Sequence, residues 1–139
     1  MLIDGAVLLR IDYCNCMFAG LPYFNLDRRQ QIMSAAARVI SRRRKYDHIS
    51  NFLQDLYWLR VAQRIEFKLC LTVYKALYNL APSYLAELCI PVTAAAARQR
   101  LRSSPSGNFV VPKPRSEFGK RVFAFAGPHE WKNLPQTIK

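Results

Sequence analysis

The chain has 139 residues, of which 51% are hydrophobic, so it is long enough and apolar enough to bury the core of one domain. Its 21 lysines and arginines outnumber nine acidic residues and give a net charge of +12, which favours polyanionic partners over neutral ones. The most hydrophobic stretch, residues 61–80, contains Arg64, Glu66, Lys68 and Lys75, too many charges for a lone membrane-spanning helix, so no membrane partner is expected.

The first 22 residues resemble a signal peptide only in their apolar content. Asp4 stands where a positive charge belongs, and Arg10 and Asp12 interrupt the apolar run. We therefore expect an ordinary helix here. The chain as a whole is expected to be intracellular, either nuclear or cytoplasmic.

The second predicted helix spans Asn25–Arg43, with Asn25 as its N-cap. At 3.6 residues per turn it has an apolar side and a basic side. The apolar side comprises Leu26, Met33, Ala36, Ala37 and Ile40, and the polar, basic side Arg28, Gln31, Arg38, Arg42 and Lys45.

Four consecutive cations, residues 42–45, extend this basic side, and two interpretations of them remain open. Cations complement the negative end of a helix dipole, so the run could be a solvated helix end. The same cations could contact phosphates of a nucleic acid, which is the interpretation we favour. Asp47 is predicted to cap a short third helix through Leu56, which favours a structural role over a catalytic dyad with His48.

Residues 61–80 form the longest apolar pattern and predict a central helix of a small bundle. One stripe comprises Ile65, Leu69, Val73, Ala76, Leu77 and Leu80, and a second comprises Phe67, Leu71, Tyr74 and Tyr78. A helix that is apolar on nearly all sides is typical of a bundle centre, so these aromatic rings are expected in the core. Pro82 ends the helix, and Ser83 can cap a short turn through Cys89.

Beyond Pro91 the pattern changes. Residues 91–108 read as a basic flexible loop, and two prolines hold "NFVVPKPR" extended. A small docking helix should follow and end at Gly127-Pro128. The predicted fold is mainly α, a helical bundle at 1–90, the loop at 91–108, and an extended segment with docking helix and tail at 109–139.

The sequence contains no recognisable catalytic or metal-binding motif. The nine acidic residues never occur as an Asp-Asp or Asp-x-Asp pair that could hold Mg²⁺, and no phosphate-cradling glycine loop or nucleophile motif is present. The four cysteines lack zinc-site spacing and are expected to be reduced, buried thiols: Cys14, Cys16, Cys70 and Cys89. We therefore expect no catalysis, no metal and no cofactor.

Several blocks, in order, resemble the carboxyl-terminal region of a LINE-type (non-LTR) retrotransposon reverse transcriptase, of the kind found in CR1-, L2- and jockey-like elements. The resemblance covers about residues 9–139 and rests on the order and spacing of the blocks. They are "RIDYCNCMFAGLP", "QIMSAAARVISRRRKYDHI", "DLYWLRVAQRIEFKLCLTVYKALYNLAPSYLAEL", "LRSS", "VVP" and "GKRVFAFAGPHEWKNLP".

The resemblance implies the end of the thumb and the helical region beyond it, in an RNA-directed DNA polymerase whose catalytic aspartates lie in an upstream palm domain. The chain is then expected to lack catalysis of its own and to bind RNA or an RNA–DNA hybrid through phosphate contacts without reading bases. The candidate nucleic-acid-binding residues are Arg28, Arg38, Arg42, Arg43, Arg44, Lys45, Arg98 and Arg102.

Two departures from the family pattern stand out. Arg60 replaces a proline in Trp-Leu-Pro-Val, and Lys132 replaces an asparagine in Pro-x-x-Trp-Asn. One alternative is therefore a non-functional remnant of a decayed element. A second alternative is a helical protein-interaction module that packs on a partner protein through apolar surface once covered by the missing palm domain of the parent polymerase.

Overall fold

The computed structural model describes residues 2–94 and 109–138, with side chains from residue 5 onward. It is mainly helical, with 64% helix and no strands in the described ranges, so the predicted fold class is confirmed. The described α-helices are α1 (Leu2–Asp12), α2 (Tyr23–Ser41), α3 (Ser50–Asp55), α4 (Val61–Leu77), α5 (Ser83–Leu88) and α6 (Phe123–Asn133). Short 3₁₀ turns lie at Asn15–Phe18, Val92–Ala94 and Gly119–Arg121.

Contacts divide the chain into two compact units, Met1–Ile65 and Glu66–Lys139, with the boundary inside α4. The predicted division of the chain rests on sequence composition and not on contacts, so it stays a prediction. Its segments are 1–90, 91–108 and 109–139. Residues 95–108 of the basic loop, with Arg98 and Arg102, lie outside the described residues.

Helix α2 begins two residues earlier than predicted, at Tyr23. Pro22 is its N-cap, with φ −57° and ψ 145°, and the Pro22 carbonyl accepts the backbone N–H of Asn25. Proline fixes φ in the range that a helix entry needs, so Asn25 lies inside the first turn and the prediction that it caps the helix was wrong. The predicted apolar side is confirmed by the burial of Leu26, Met33 and Ala37.

Three helices end in the same way, with a non-glycine residue in the left-handed conformation. These residues are Arg42 after α2, Tyr57 after α3 and Asn79 after α4, with φ between 51° and 55°. In each case the next backbone N–H reaches the carbonyl five residues back, which is the Schellman arrangement. The bonds are Arg43 to Arg38 at 3.0 Å, Trp58 to Leu53 at 2.7 Å and Leu80 to Lys75 at 2.8 Å.

Asp47 does not cap α3, which begins at Ser50 with Ile49 as its N-cap. Its Oδ2 instead accepts the backbone N–H of Arg44 at 3.0 Å. Aspartate readily forms such local bonds in turns, and here it closes the turn before the helix. Its role is structural, as expected, but at a different place.

In the second unit, a core of Val73, Ala76, Cys89, Phe109 and Trp131 is buried. The ring of Phe109 meets that of Trp131 edge to face, with centroids 6.1 Å apart. The predicted extended piece enters this core through Phe109, whose neighbour Val110 donates its N–H to the carbonyl of Ile90 at 2.8 Å.

Helix α6 contradicts the prediction that it ends at Gly127-Pro128, because it runs from Phe123 through both residues to Asn133. The residue before a proline is normally kept out of the helical region by its own Cβ, and Gly127 has none. Gly127, Pro128 and Trp131 are all buried. Their burial offsets the backbone hydrogen bond that Pro128 lacks.

Helix α4 buries one side rather than all sides. Ile65, Leu69 and Val73 are at most 4% exposed, but Phe67 is 52%, Tyr74 43% and Tyr78 58% exposed. The expectation that these rings lie in the core was therefore wrong. A continuous apolar pattern predicts that a helix forms, but it does not predict how many other elements pack against that helix.

Candidate nucleic-acid interface

The basic end of α2, defined here as residues 42–45, is a turn built by two backbone features. Arg42 leaves the helix in the left-handed conformation, and the Asp47 carboxylate then holds the backbone of Arg44. All four side chains of the basic end are exposed. The turn thus presents four consecutive cations to solvent from a fixed backbone.

None of these four side chains forms an ion pair with any residue in the described part of the chain. The nearest ring contact is from Lys45, whose Nζ lies 5.6 Å from the ring centre of Tyr46. Tyr46 itself is 88% exposed. The charge of the basic end is therefore available to an external anion, and an exposed ring lies beside it.

Two carboxylates lie on one flank of the basic end. Asp47 and Asp55 line a cavity of about 370 Å³ together with Arg43. The remaining lining residues are His48, Asn51 and Phe52. These acids reduce the positive potential next to Arg43, so Arg42, Arg44 and Lys45, which do not line the cavity, are the stronger candidates for phosphate contact.

The two predicted cations within α2 have different surroundings. Arg38 is half-buried, and its Nη2 donates a long bond of 3.5 Å to the carbonyl oxygen of Asp47, so it lies against the turn. Arg28 is exposed, but it lies 13 residues before Ser41, or about 20 Å along the axis at 1.5 Å per residue. The structure therefore places Arg28 apart from the basic end and uses Arg38 to support it.

Two further arginines of this unit are engaged within the protein. Arg29 lies over the ring of Phe18, with its guanidinium carbon 3.6 Å from the ring centre. Arg64 forms a two-bond ion pair with Asp12, at 2.5 Å from Nε to Oδ1 and 3.1 Å from Nη2 to Oδ2. Both contacts join residues distant in sequence, so no local pattern could have predicted them.

Comparison with protein-family models, curated proteins and solved structures finds no match. The resemblance noted from the sequence blocks therefore stays a prediction. In the described ranges, no helix has both the length and the apolar character needed to cross a membrane.

The cysteines follow the predicted pattern only in part. Cys89 is buried and Cys70 half-buried, but Cys14 is exposed, which contradicts the expectation of buried thiols. Burial raises the pKa of Cys70 to about 11, with a further contribution from the carboxylates of Glu130 and Glu66. Burial likewise raises the pKa of Cys89.

Metal ligands are also scattered over the described residues. Within residues 2–94 and 109–138, no group of three or more His, Cys, Asp or Glu side chains is arranged to hold a metal ion. The basic end of α2 is thus the candidate functional site, and its exposed positive charge attracts a polyanion.

Proposed function

We propose that this chain binds the phosphate backbone of RNA or an RNA–DNA hybrid through the basic end of α2, without catalysis of its own. The block resemblance suggests that it serves as the carboxyl-terminal part of a LINE-type reverse transcriptase, next to a palm domain. The observation that carries the proposal is the exposure of four consecutive cations whose side chains form no ion pair with any carboxylate in the described part of the chain.

Electrostatics favours backbone contact over base recognition. Flexible, exposed lysine and arginine side chains reach phosphate charge regardless of sequence. Helix α2 also ends beside these cations, and its carboxyl end carries partial negative charge, so part of their effect is to stabilise the helix by about 0.3–1 kcal/mol. Stabilisation of the helix end does not require contact with nucleic acid. Contact with the phosphates of a nucleic acid is therefore a second, separate role of the same cations.

The test is a titration of labelled RNA, RNA–DNA hybrid and DNA duplex with the whole chain at several salt concentrations. Replacing Arg42, Arg43, Arg44 and Lys45 together by Gln should reduce the slope of log affinity against log salt by up to about 2.8 for a single strand and about 3.6 for a duplex, at about 0.7–0.9 per phosphate contact. Sequence changes in the nucleic acid should have little effect.

A matched control removes the same four charges elsewhere. Arg10, Arg60, Lys113 and Arg115 are all exposed and dispersed along the chain. Their joint replacement by Gln should change the salt slope much less. This variant loses the same net charge as the variant of the basic end, but its basic end is intact. Equal slopes for the two variants would show that the basic end is only a helix terminus.

A further inference from the structure

The exposed side of α4 carries an aromatic stripe, defined as Phe67, Leu71, Tyr74 and Tyr78, the last of which directly follows the helix. At 100° per residue these positions lie within about 60° of one another around the axis, and the buried positions Leu69, Val73 and Ala76 lie on roughly the opposite side. Phe67, Tyr74 and Tyr78 are between 43% and 58% exposed. The stripe therefore presents three exposed rings along one side of α4 and at its carboxyl end.

Two of the rings form a pair. The centroids of Tyr74 and Tyr78 are 4.5 Å apart and their planes are inclined by 43°. This contact restricts both side chains, since each ring limits the rotation of the other. Rings that are ordered before binding lose little conformational freedom when another flat group stacks on them.

The stripe is bordered by positive charge. Lys75 is exposed and follows Tyr74 along the helix, about 100° further around the axis. No described residue forms an ion pair with it. The chain as a whole carries +12. Exposed rings beside a free cation, on a strongly basic protein, are the components with which proteins bind single-stranded nucleic acid.

We propose that the aromatic stripe binds single-stranded nucleic acid, with unpaired bases stacked on Phe67, Tyr74 and Tyr78 and a phosphate near Lys75. This surface is separate in sequence from the basic end of α2 and adds a preference for unpaired strands, which phosphate contacts alone do not give. Charge complementarity favours this ligand over a protein partner, because an apolar protein surface gains nothing from Lys75 or from the net charge.

The test compares binding of short poly-uridine RNA and of an RNA–DNA hybrid of equal length by fluorescence anisotropy. The variant Phe67→Leu/Tyr74→Leu/Tyr78→Leu removes the rings but keeps apolar side chains and helix propensity. Single-strand affinity should fall at least about tenfold, while hybrid affinity and the salt slope stay unchanged, because stacking is lost and no charge is removed.

Tyr74→Phe/Tyr78→Phe is the matched control, since it retains every ring, and it should bind the single strand as the unchanged protein does. Unchanged single-strand affinity in the leucine variant would overturn the proposal. So would a dimer in sedimentation that survives in the leucine variant but dissociates in Tyr74→Lys/Tyr78→Lys, because the stripe would then be an apolar contact between copies.

The test of the aromatic stripe can succeed or fail independently of the test of the proposed function. The Gln variant of the basic end alters the salt slope on both ligands, whereas the leucine variant alters single-strand affinity alone. Loss of single-strand binding in the leucine variant would support the stripe even if the Gln variant binds normally. A normal salt response with equal affinity for both ligands would leave the basic end supported and overturn the stripe.

Discussion

Gly127 and Val73 approach each other so closely that a Cβ atom on Gly127 would lie 2.9 Å from Cγ2 of Val73. Val73 is fully buried, and the nearest ring carbon of Phe123 would lie 3.0 Å from the same Cβ position. Real Cβ atoms essentially never come this near another heavy atom. The absence of a side chain at residue 127 therefore sets how closely α6 packs against this part of α4.

Replacing Gly127 by Ala should lower the free energy of unfolding by up to about 2 kcal/mol. Alanine favours helix over glycine by about 1 kcal/mol, but overpacking a buried contact costs more than that. Chemical denaturation followed by the fluorescence of buried Trp131 measures the change. Gly5→Ala is the control, because nothing lies within 4 Å of a Cβ there and α1 should gain up to about 1 kcal/mol. Equal effects of the two substitutions would show that the contact with Val73 is unimportant.

The ion pair between Asp12 and Arg64 should contribute to the stability of the first unit. Their side chains are only 20% and 15% exposed, and two bonds join them. Asp12→Ala should lower the free energy of unfolding by about 1–3 kcal/mol, chiefly because it leaves a partly buried guanidinium without its carboxylate. A double-mutant cycle with Arg64→Met measures the coupling, and additive effects would contradict the prediction.

Tyr57→Gly should stabilise the protein by about 1 kcal/mol. Tyr57 has φ 54° and is 92% exposed, so its side chain gives up little packing while its backbone adopts a conformation that costs non-glycine residues about 1–2 kcal/mol. Thermal denaturation monitored by circular dichroism tests this. Tyr57→Ala, which keeps the Cβ, should give no comparable gain. A loss of stability on replacement by glycine would mean that the Tyr57 ring packs in solution.

The thiols should react in an order set by burial. At pH 8 iodoacetamide should modify exposed Cys14 first, and Cys70 and Cys89 much more slowly, because burial raises their pKa values and the thiolate is the nucleophile. Mass spectrometry of peptides at several times gives the order. Modification of Cys89 as fast as Cys14 would contradict the burial of Cys89.

The same shift of the Cys70 pKa predicts how stability depends on pH. The pKa rises from 9.0 to about 11 on folding, so between these values the unfolded chain binds fewer protons than the folded chain. The free energy of unfolding should therefore fall as pH rises from 9 to 11, and Cys70→Ala should weaken that dependence. Denaturation midpoints across this range, compared for the two proteins, provide the measurement.

Local sequence signals predicted several features of the fold because they depend on nearby residues. The apolar side of α2 and the start of α4 at Val61 follow from periodicity, and the structure confirms them. Ser83 was predicted to cap the short turn through Cys89, but it is the first residue of α5 and Pro82 is the N-cap, so that prediction was wrong. The exposure of residues 42–45 also follows from their charge. Asn25 failed as an N-cap because Pro22, three residues earlier, provided an equally local and stronger signal.

Other features depended on contacts that no local pattern contains. Helix α6 continues through Gly127-Pro128 because Trp131 beyond them is buried in the core of the second unit. Arg29 lies over the ring of Phe18, and Arg64 forms an ion pair with Asp12, so both arginines are engaged within the protein. In each case the partner is distant in sequence. These outcomes were decided by packing, which joins residues far apart along the chain.

The sequence by itself determined that this protein is mainly helical and strongly basic, because helix formation and net charge are sums of local properties. Only the tertiary structure decided which apolar side of α4 is covered. Leu69 and Phe67 are both hydrophobic, yet one is 1% exposed and the other 52%. The physical reason is that burial requires a neighbour, and periodicity specifies that a residue can be buried without specifying what lies against it.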